Sequence, residues 1–183
     1  DADGRLRAVI HTRVDDFLGA IKRTPEVAKL IGALSNELQL VEKKGPVYTH
    51  LGRTISVKND CLRIFQAGNA TSLREIEIGA GRKKDRDSPL RESEKSRYES
   101  VIGELLWLVN QTRIDQACAV SKAAQAKKDA KVSDPLELNR IVREIRESPG
   151  LGLTLMRGIV DVGTAEVLSF GDSAFATAEN VKS

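Results

Sequence analysis

The chain has 183 residues, of which 40% are apolar and 30% charged, with a formal net charge of +3. That balance describes a folding chain rather than a disordered one, sized for one ordinary domain or pieces of two, and no apolar run nears the roughly 20 residues of a membrane helix. Aromatics are only 4%, so the core must rest on Leu, Ile, Val and Ala, and so small a charge neither demands nor excludes a nucleic-acid partner.

The opening stretch "DADGRLRAVI" is charged and has neither an initiator Met nor a signal-peptide core, so it reads as the interior of a longer chain. Between Arg5 and Val14, the residues Leu6, Ala8, Ile10, Thr12 and Val14 alternate with Arg5, Arg7, His11 and Arg13. This is the period of a half-buried strand, with His11 on its solvent side. Phe17, Leu18 and Ile21 resume the apolar pattern after Asp15 and Asp16, so the two carboxylates are expected at the bend of a hairpin. Adjacent carboxylates repel, and need either open water or a cation. A solvated turn supplies the first; Mg²⁺, a hard cation that prefers oxygen donors, supplies the second. The dipeptide alone leaves both open.

Thr24-Pro25 is a helix start, Thr as N-cap and Pro in the first turn. Val27, Leu30, Ile31, Leu34 and Leu38 then make one apolar face, predicting a helix over 24–41. In "GPVYTHLGRTISVKNDCLRIFQ" (45–66), β-branched runs flank Asn59-Asp60, which predicts a second hairpin. Residues 71–78 suggest a short helix capped by Thr71 or Ser72, and 79–97, rich in Gly, Ser, Pro and charge, reads as a linker. Beyond it the pattern is helical. Tyr98, Val101, Ile102, Leu105, Leu108 and Val109 form one stripe, and Ile114, Ala117, Cys118 and Ser121 a second. Asp134-Pro135 starts a third helix with Leu138, Ile141, Val142 and Ile145 inward, closed by Ser148-Pro149-Gly150. "LGLTLMRG" and "AEVLSFGDSAFA" read as strands.

Cys61 and Cys118 show no metal-ligand spacing and read as reduced thiols of an intracellular protein. His11 and His50, the only histidines, make a zinc site an unpromising reading of the sequence. Basic residues gather in "GRKKDR" (81–86) and "KAAQAKK" (122–128), which fits either a solvated face or contact with phosphates.

Taken together, these stretches resemble the reverse transcriptase region of copia-type retrotransposon Pol polyproteins. "VDDFLGA" (14–20) is similar to the YVDD box of the polymerase palm, and "YTHLGRTISVKNDCLRIFQ" (48–66) to the following hairpin that grips the primer. "YESVIGELLWLVNQTRIDQACAVS" (98–121) resembles the family's "YRSLVGSLLYL…TRPDIAFAVS" segment, with TR.D.A.AVS the most specific part. "LNRIVREIRESPGLGLTL" (138–155) and "LSFGDSAFA" (168–176) resemble the run that leads into ribonuclease H.

The resemblance implies an α+β fold: a partial palm of β-hairpins plus helix with the start of the thumb (1–78), the linker (79–97), a helical thumb or connection (98–150), and the first strands of a ribonuclease H-like domain (151–183). It implies RNA-directed DNA polymerase and ribonuclease H activity in the parent polyprotein, using Mg²⁺ on an RNA template, a DNA primer and the RNA–DNA hybrid. The setting would be a cytoplasmic particle or the nucleus, with no membrane partner. Asp15 and Asp16 would serve the polymerase metals and Asp172 the ribonuclease H metals, as two-metal nucleotidyl chemistry requires. Leu51, Gly52 and Arg53 would meet the primer, and Arg82, Lys83, Lys84, Lys127 and Lys128 the phosphates.

Departures from the family pattern are Arg13 for its Tyr, Ile114 for its Pro, Ala174 for the second Asp of the ribonuclease H segment and Phe175 for its Trp. The family's further metal-binding Asp would lie upstream of Asp1, so the chain alone is expected to be inactive. The alternative is a decayed or repurposed, noncatalytic remnant that binds nucleic acid or a protein partner.

Overall fold

The computed structural model describes residues 6–13, 16–22, 24–43 and 45–158. The expected strand at 168–176 lies outside them, as do Asp15 and Asp172. The architecture is mixed α+β, with two small antiparallel sheets beside a helical core.

The alternating N-terminal segment forms β1 (Ala8–Arg13) and β2 (Asp16–Ile21), paired antiparallel from Ala8↔Ile21 to Arg13↔Asp16. Asp16, the first residue of β2, therefore falls at the end of a hairpin. The helix α1 (Pro25–Glu37) starts as its sequence dictates: Thr24 Oγ1 accepts the Val27 N–H at 3.4 Å, and Pro25 opens the first turn. Its apolar face is partly used, with Ile31 and Leu34 half-buried. Val27 is buried, whereas Leu30 is 70% exposed.

A four-stranded sheet follows, in the order β3 (Val47–His50), β4 (Arg53–Lys58), β5 (Cys61–Phe65) and β6 (Gly152–Met156), all antiparallel. Leu51 and Gly52 connect β3 to β4, and Asn59-Asp60 connects β4 to β5 as expected. The register aligns Tyr48, Ile55, Ile64 and Leu153 across the sheet on one face. The strand read from "LGLTLMRG" thus completes the sheet begun by β3–β5. At Gly152 a Cβ would strike the Ile64 carbonyl oxygen and Phe65, so only glycine lets β6 approach β5 this closely.

The short helix near residue 71 lies earlier than its sequence suggests, as α2 (Ala67–Ser72). Thr71 and Ser72 do not cap a following helix: their hydroxyls bond back to the carbonyls of Ala67, Gly68 and Asn69. Ser and Thr satisfy the preceding turn as readily as the next one, and sequence does not say which. Residues 73–79 run without helix or strand, and Leu73, Ile76 and Ile78 enter the core. Asn139 holds this segment by accepting the Ile76 N–H at 2.7 Å and donating to the Ile76 carbonyl at 2.8 Å.

Residues 79–97 are pinned at several points. Arg82–Lys84 forms a 3₁₀ turn, and Pro89 bridges Lys131 in antiparallel fashion, flanked by Leu90 N–H to Ala130 and Val132 N–H to Ser88. Residues on both sides of this stretch share one apolar core: Leu73, Ile76 and Ile78 pack with Tyr98, Leu105, Val120, Leu138 and Ile145. Helix α3 (Glu92–Val109) begins inside the stretch, with the Glu94 carboxylate accepting the Arg91 N–H at 2.8 Å. α4 (Ala117–Gln125) and α5 (Ser133–Glu147) complete the bundle. α5 buries Leu138, Ile141, Val142 and Ile145 as expected. The stripe expected around α4 is out of phase: Ile114 is 64% exposed and Cys118 and Ser121 are exposed, while Val120 is buried. Four closely spaced Ala residues give almost no directional signal, so the one Val decides the phase.

Candidate hairpin-tip site

Two turns define the site. At the β1–β2 end, Asp16 is exposed and faces Arg13 across the ladder. At the β3–β4 end, Leu51 (φ 50°) and Gly52 (φ 72°) are both left-handed, the pattern of a type I′ hairpin turn. Glycine adopts this freely, whereas Leu51 bears roughly 1 kcal/mol of backbone strain. A Cβ on Gly52 would meet only ordinary contact with Asn69, so backbone conformation rather than space calls for glycine there.

Among the described residues, a histidine pair joins the two hairpins. His11 on β1 and His50 on β3 bring Nδ1 and Nε2 to 3.3 Å, with the rings at 88°. His50 is buried and His11 exposed. Burial, then the Arg53 charge, hold the His50 imidazole below the usual histidine range; Asp16 works in the opposite sense, and His11 adds to the lowering. Asp16 therefore stands near His50 as well as at the tip of its own hairpin.

The basic residues behave differently from one another. Arg53 donates through Nη1 to Gln111 Oε1 at 3.0 Å, tying the β3–β4 turn to the end of α3. Arg82 is used as a brace, bonding the Glu94 carboxylate at 2.9 Å, Ser88 at 2.9 Å and the Pro89 carbonyl at 2.7 Å. Its guanidinium in turn keeps the Glu94 carboxyl below the ordinary range. Lys83, Lys84 and Lys128 are exposed and Lys127 half-buried. The Pro89–Lys131 bridge ties the chain following Arg82–Lys84 to the chain following Lys127 and Lys128. Arg53, the first residue of β4, directly follows Leu51 and Gly52 and is the basic candidate adjoining the turns.

The sequence assigned no role to Thr112, Arg113 and Asp115, which form a junction in which Thr112 and Arg113 are buried and Asp115 is exposed. Arg113, whose side chain is 3% exposed, grips Asp115 through two bonds of 2.9 Å and reaches the carbonyls of Ile145 and Ser148. Thr112 Oγ1 donates to Gln66 Oε1 at 2.9 Å. The junction binds the end of α3, the end of α5 and the residue after β5. The T-R-x-D spacing was the available signal, because an Arg and an Asp two residues apart can close a bidentate pair.

Among the described residues, no three or more His, Cys, Asp or Glu side chains gather as a metal site, and no helix is long and apolar enough to cross a membrane. Comparison with family models, curated proteins and solved structures finds no match to this chain.

Proposed function

We propose that this chain is part of the reverse transcriptase of a copia-type retrotransposon polyprotein, carrying the aspartate hairpin of the palm and the hairpin that holds the primer. The observation that carries the reading is the His11–His50 contact, which sets the hairpin ending in Asp16 against the hairpin turning at Leu51–Gly52. A polymerase needs that adjacency, because its metal-binding carboxylates must stand beside the primer end. The strained left-handed turn at Leu51 supports the reading, since such strain concentrates at functional sites.

In this reading Asp15 and Asp16 belong to the Mg²⁺ site of nucleotidyl transfer, and Leu51, Gly52 and Arg53 meet the primer strand. Lys83, Lys84, Lys127 and Lys128 add sequence-independent phosphate contacts, with Arg82 bracing the segment that carries the first pair. Asp172 belongs to the ribonuclease H portion acting on the RNA–DNA hybrid. The described residues do not by themselves fit a Mg²⁺ site, since Asp16 contributes a single carboxylate and no cluster surrounds it. In this reading the isolated chain binds nucleic acid without copying it.

Two measurements test this. Titration of a labelled RNA–DNA primer–template should give binding that weakens about tenfold or more between roughly 50 and 200 mM salt, as two or three phosphate contacts require. Primer extension on an RNA template in Mg²⁺, with the chain joined to the coding region that precedes it, should be abolished by Asp15→Asn. Extension that survives Asp15→Asn removes Asp15 from the metal site, and binding without extension overturns the polymerase reading in favour of the noncatalytic remnant.

A further inference from the structure

The two histidines that join the hairpins stand at a distance that also fits a shared ion. Hydrogen bonds from N–H groups cluster at about 2.9–3.0 Å, whereas His11 Nδ1 and His50 Nε2 are 3.3 Å apart. Two nitrogens each about 2.0–2.1 Å from one tetrahedral cation are separated by about 3.3–3.4 Å, the edge of the coordination tetrahedron. The pair already has the spacing of two ligands of one ion.

The surroundings suit the same occupant. His50, only 5% exposed, lies where burial favours the neutral imidazole that a metal needs. The register pairs His11 with Leu18 and Arg13 with Asp16, so Asp16 lies on the His11 face of its hairpin, one diagonal step away. A carboxylate there offsets the charge of an ion.

We propose that His11 and His50 form a binding site for a borderline divalent transition cation, zinc or its neighbours nickel and copper, that clamps the β1–β2 hairpin to the four-stranded sheet. Imidazole nitrogens select these ions over Mg²⁺ and Ca²⁺, which take oxygen donors. Water fills the remaining positions, because no third His, Cys, Asp or Glu side chain converges with the pair among the described residues. The site is therefore weaker than a structural zinc centre. The sequence hid it: the ligands lie on strands of two different hairpins, with α1 between them. The site is distinct from any Mg²⁺ chemistry of Asp15 and stands whether or not the polymerase reading holds.

The test is zinc titration of the full chain against a chromogenic chelator, with thermal unfolding followed in parallel. One zinc should bind per chain and raise the unfolding temperature, while Mg²⁺ at the same concentration leaves it unchanged. His11→Ala, on an exposed strand position, should weaken zinc binding about tenfold or more and remove the thermal shift. His50→Gln should do the same, with folding of both variants checked in chelator. Equal zinc uptake by wild type and the His11→Ala/His50→Gln double variant would assign the metal to Cys61, Cys118 or surface carboxylates and overturn the proposal, as would absence of uptake by the wild type.

Discussion

The helical core and the N-terminal hairpin use the same apolar residue types in very different ways. In the core, Tyr98, Val101, Leu105, Val120, Val142 and Ile145 are 0% exposed. In the hairpin and α1, Val9 is 55% exposed, Phe17 37%, Ile21 41% and Leu30 70%. Both regions have correct local chemistry: a sharp N-cap at Thr24, regular cross-strand pairing, and helical or strand periodicity. What differs is whether a second layer covers the apolar face. Local pattern decides which element forms, but partners decide how much stability it contributes, and the candidate site sits on the less covered side.

The sharpest way to break this contrast is a pair of truncations. Leu105→Ala should destabilise the chain by about 2–5 kcal/mol, since it opens a cavity in a closed core, whereas Leu30→Ala should change stability by less than about 0.5 kcal/mol. Urea unfolding of both variants measures the difference. Comparable losses would mean that α1 is as tightly covered as the bundle.

A smaller effect sharpens the account of the core's edge. Asn139→Ala strands the buried N–H and carbonyl of Ile76, costing about 2–3 kcal/mol. Native-state hydrogen exchange should then show the Ile76 amide losing protection ahead of the α3 amides. If the Ile76 amide keeps its protection, another group holds residues 73–79 against the bundle.

The smallest concerns pH. The Arg113 guanidinium, chiefly through its hydrogen bonds, holds the Asp115 carboxyl below the usual aspartate range. A carboxyl with a depressed folded pKa binds fewer protons folded than unfolded. Its contribution is therefore complete above the unfolded value near 4 and is lost as pH falls through the folded value. Thermal unfolding should consequently fall more steeply below about pH 4 in the wild type than in Asp115→Asn, which starts lower at neutral pH. Parallel acid profiles would remove Asp115 from the junction.

Much of this organisation was legible from residue patterns. The alternation before Asp15, the Thr24-Pro25 start, the Asn59-Asp60 turn and the inward face of α5 all appear where local chemistry put them. Three features were not legible. The α4 phase was hidden because Ala residues point nowhere strongly. The α2 boundary was hidden because Thr71 and Ser72 bond backward as easily as forward. The pairing of β5 with β6 was hidden because it joins residues separated by the whole helical half, and no local pattern records such a partner. The candidate site divides in the same manner: each turn was readable alone, but the meeting of His11 with His50 was not.

That last strand pairing has a kinetic consequence. Phe65 and Gly152 are cross-strand neighbours, so α2 through α5 form one long excursion that leaves the sheet and returns beside its point of departure. Closing so large a loop before its contents are compact is entropically costly, and such distant pairings slow folding. The helices, rich in near-neighbour contacts, can collapse first and carry the chain ends together, after which β6 has a short search to find β5. In this order the bundle acts as a spool that shortens the effective loop. Arg63, donating to the Gly150 carbonyl at 3.0 Å, is poised to latch the returning chain one step before the strand zips.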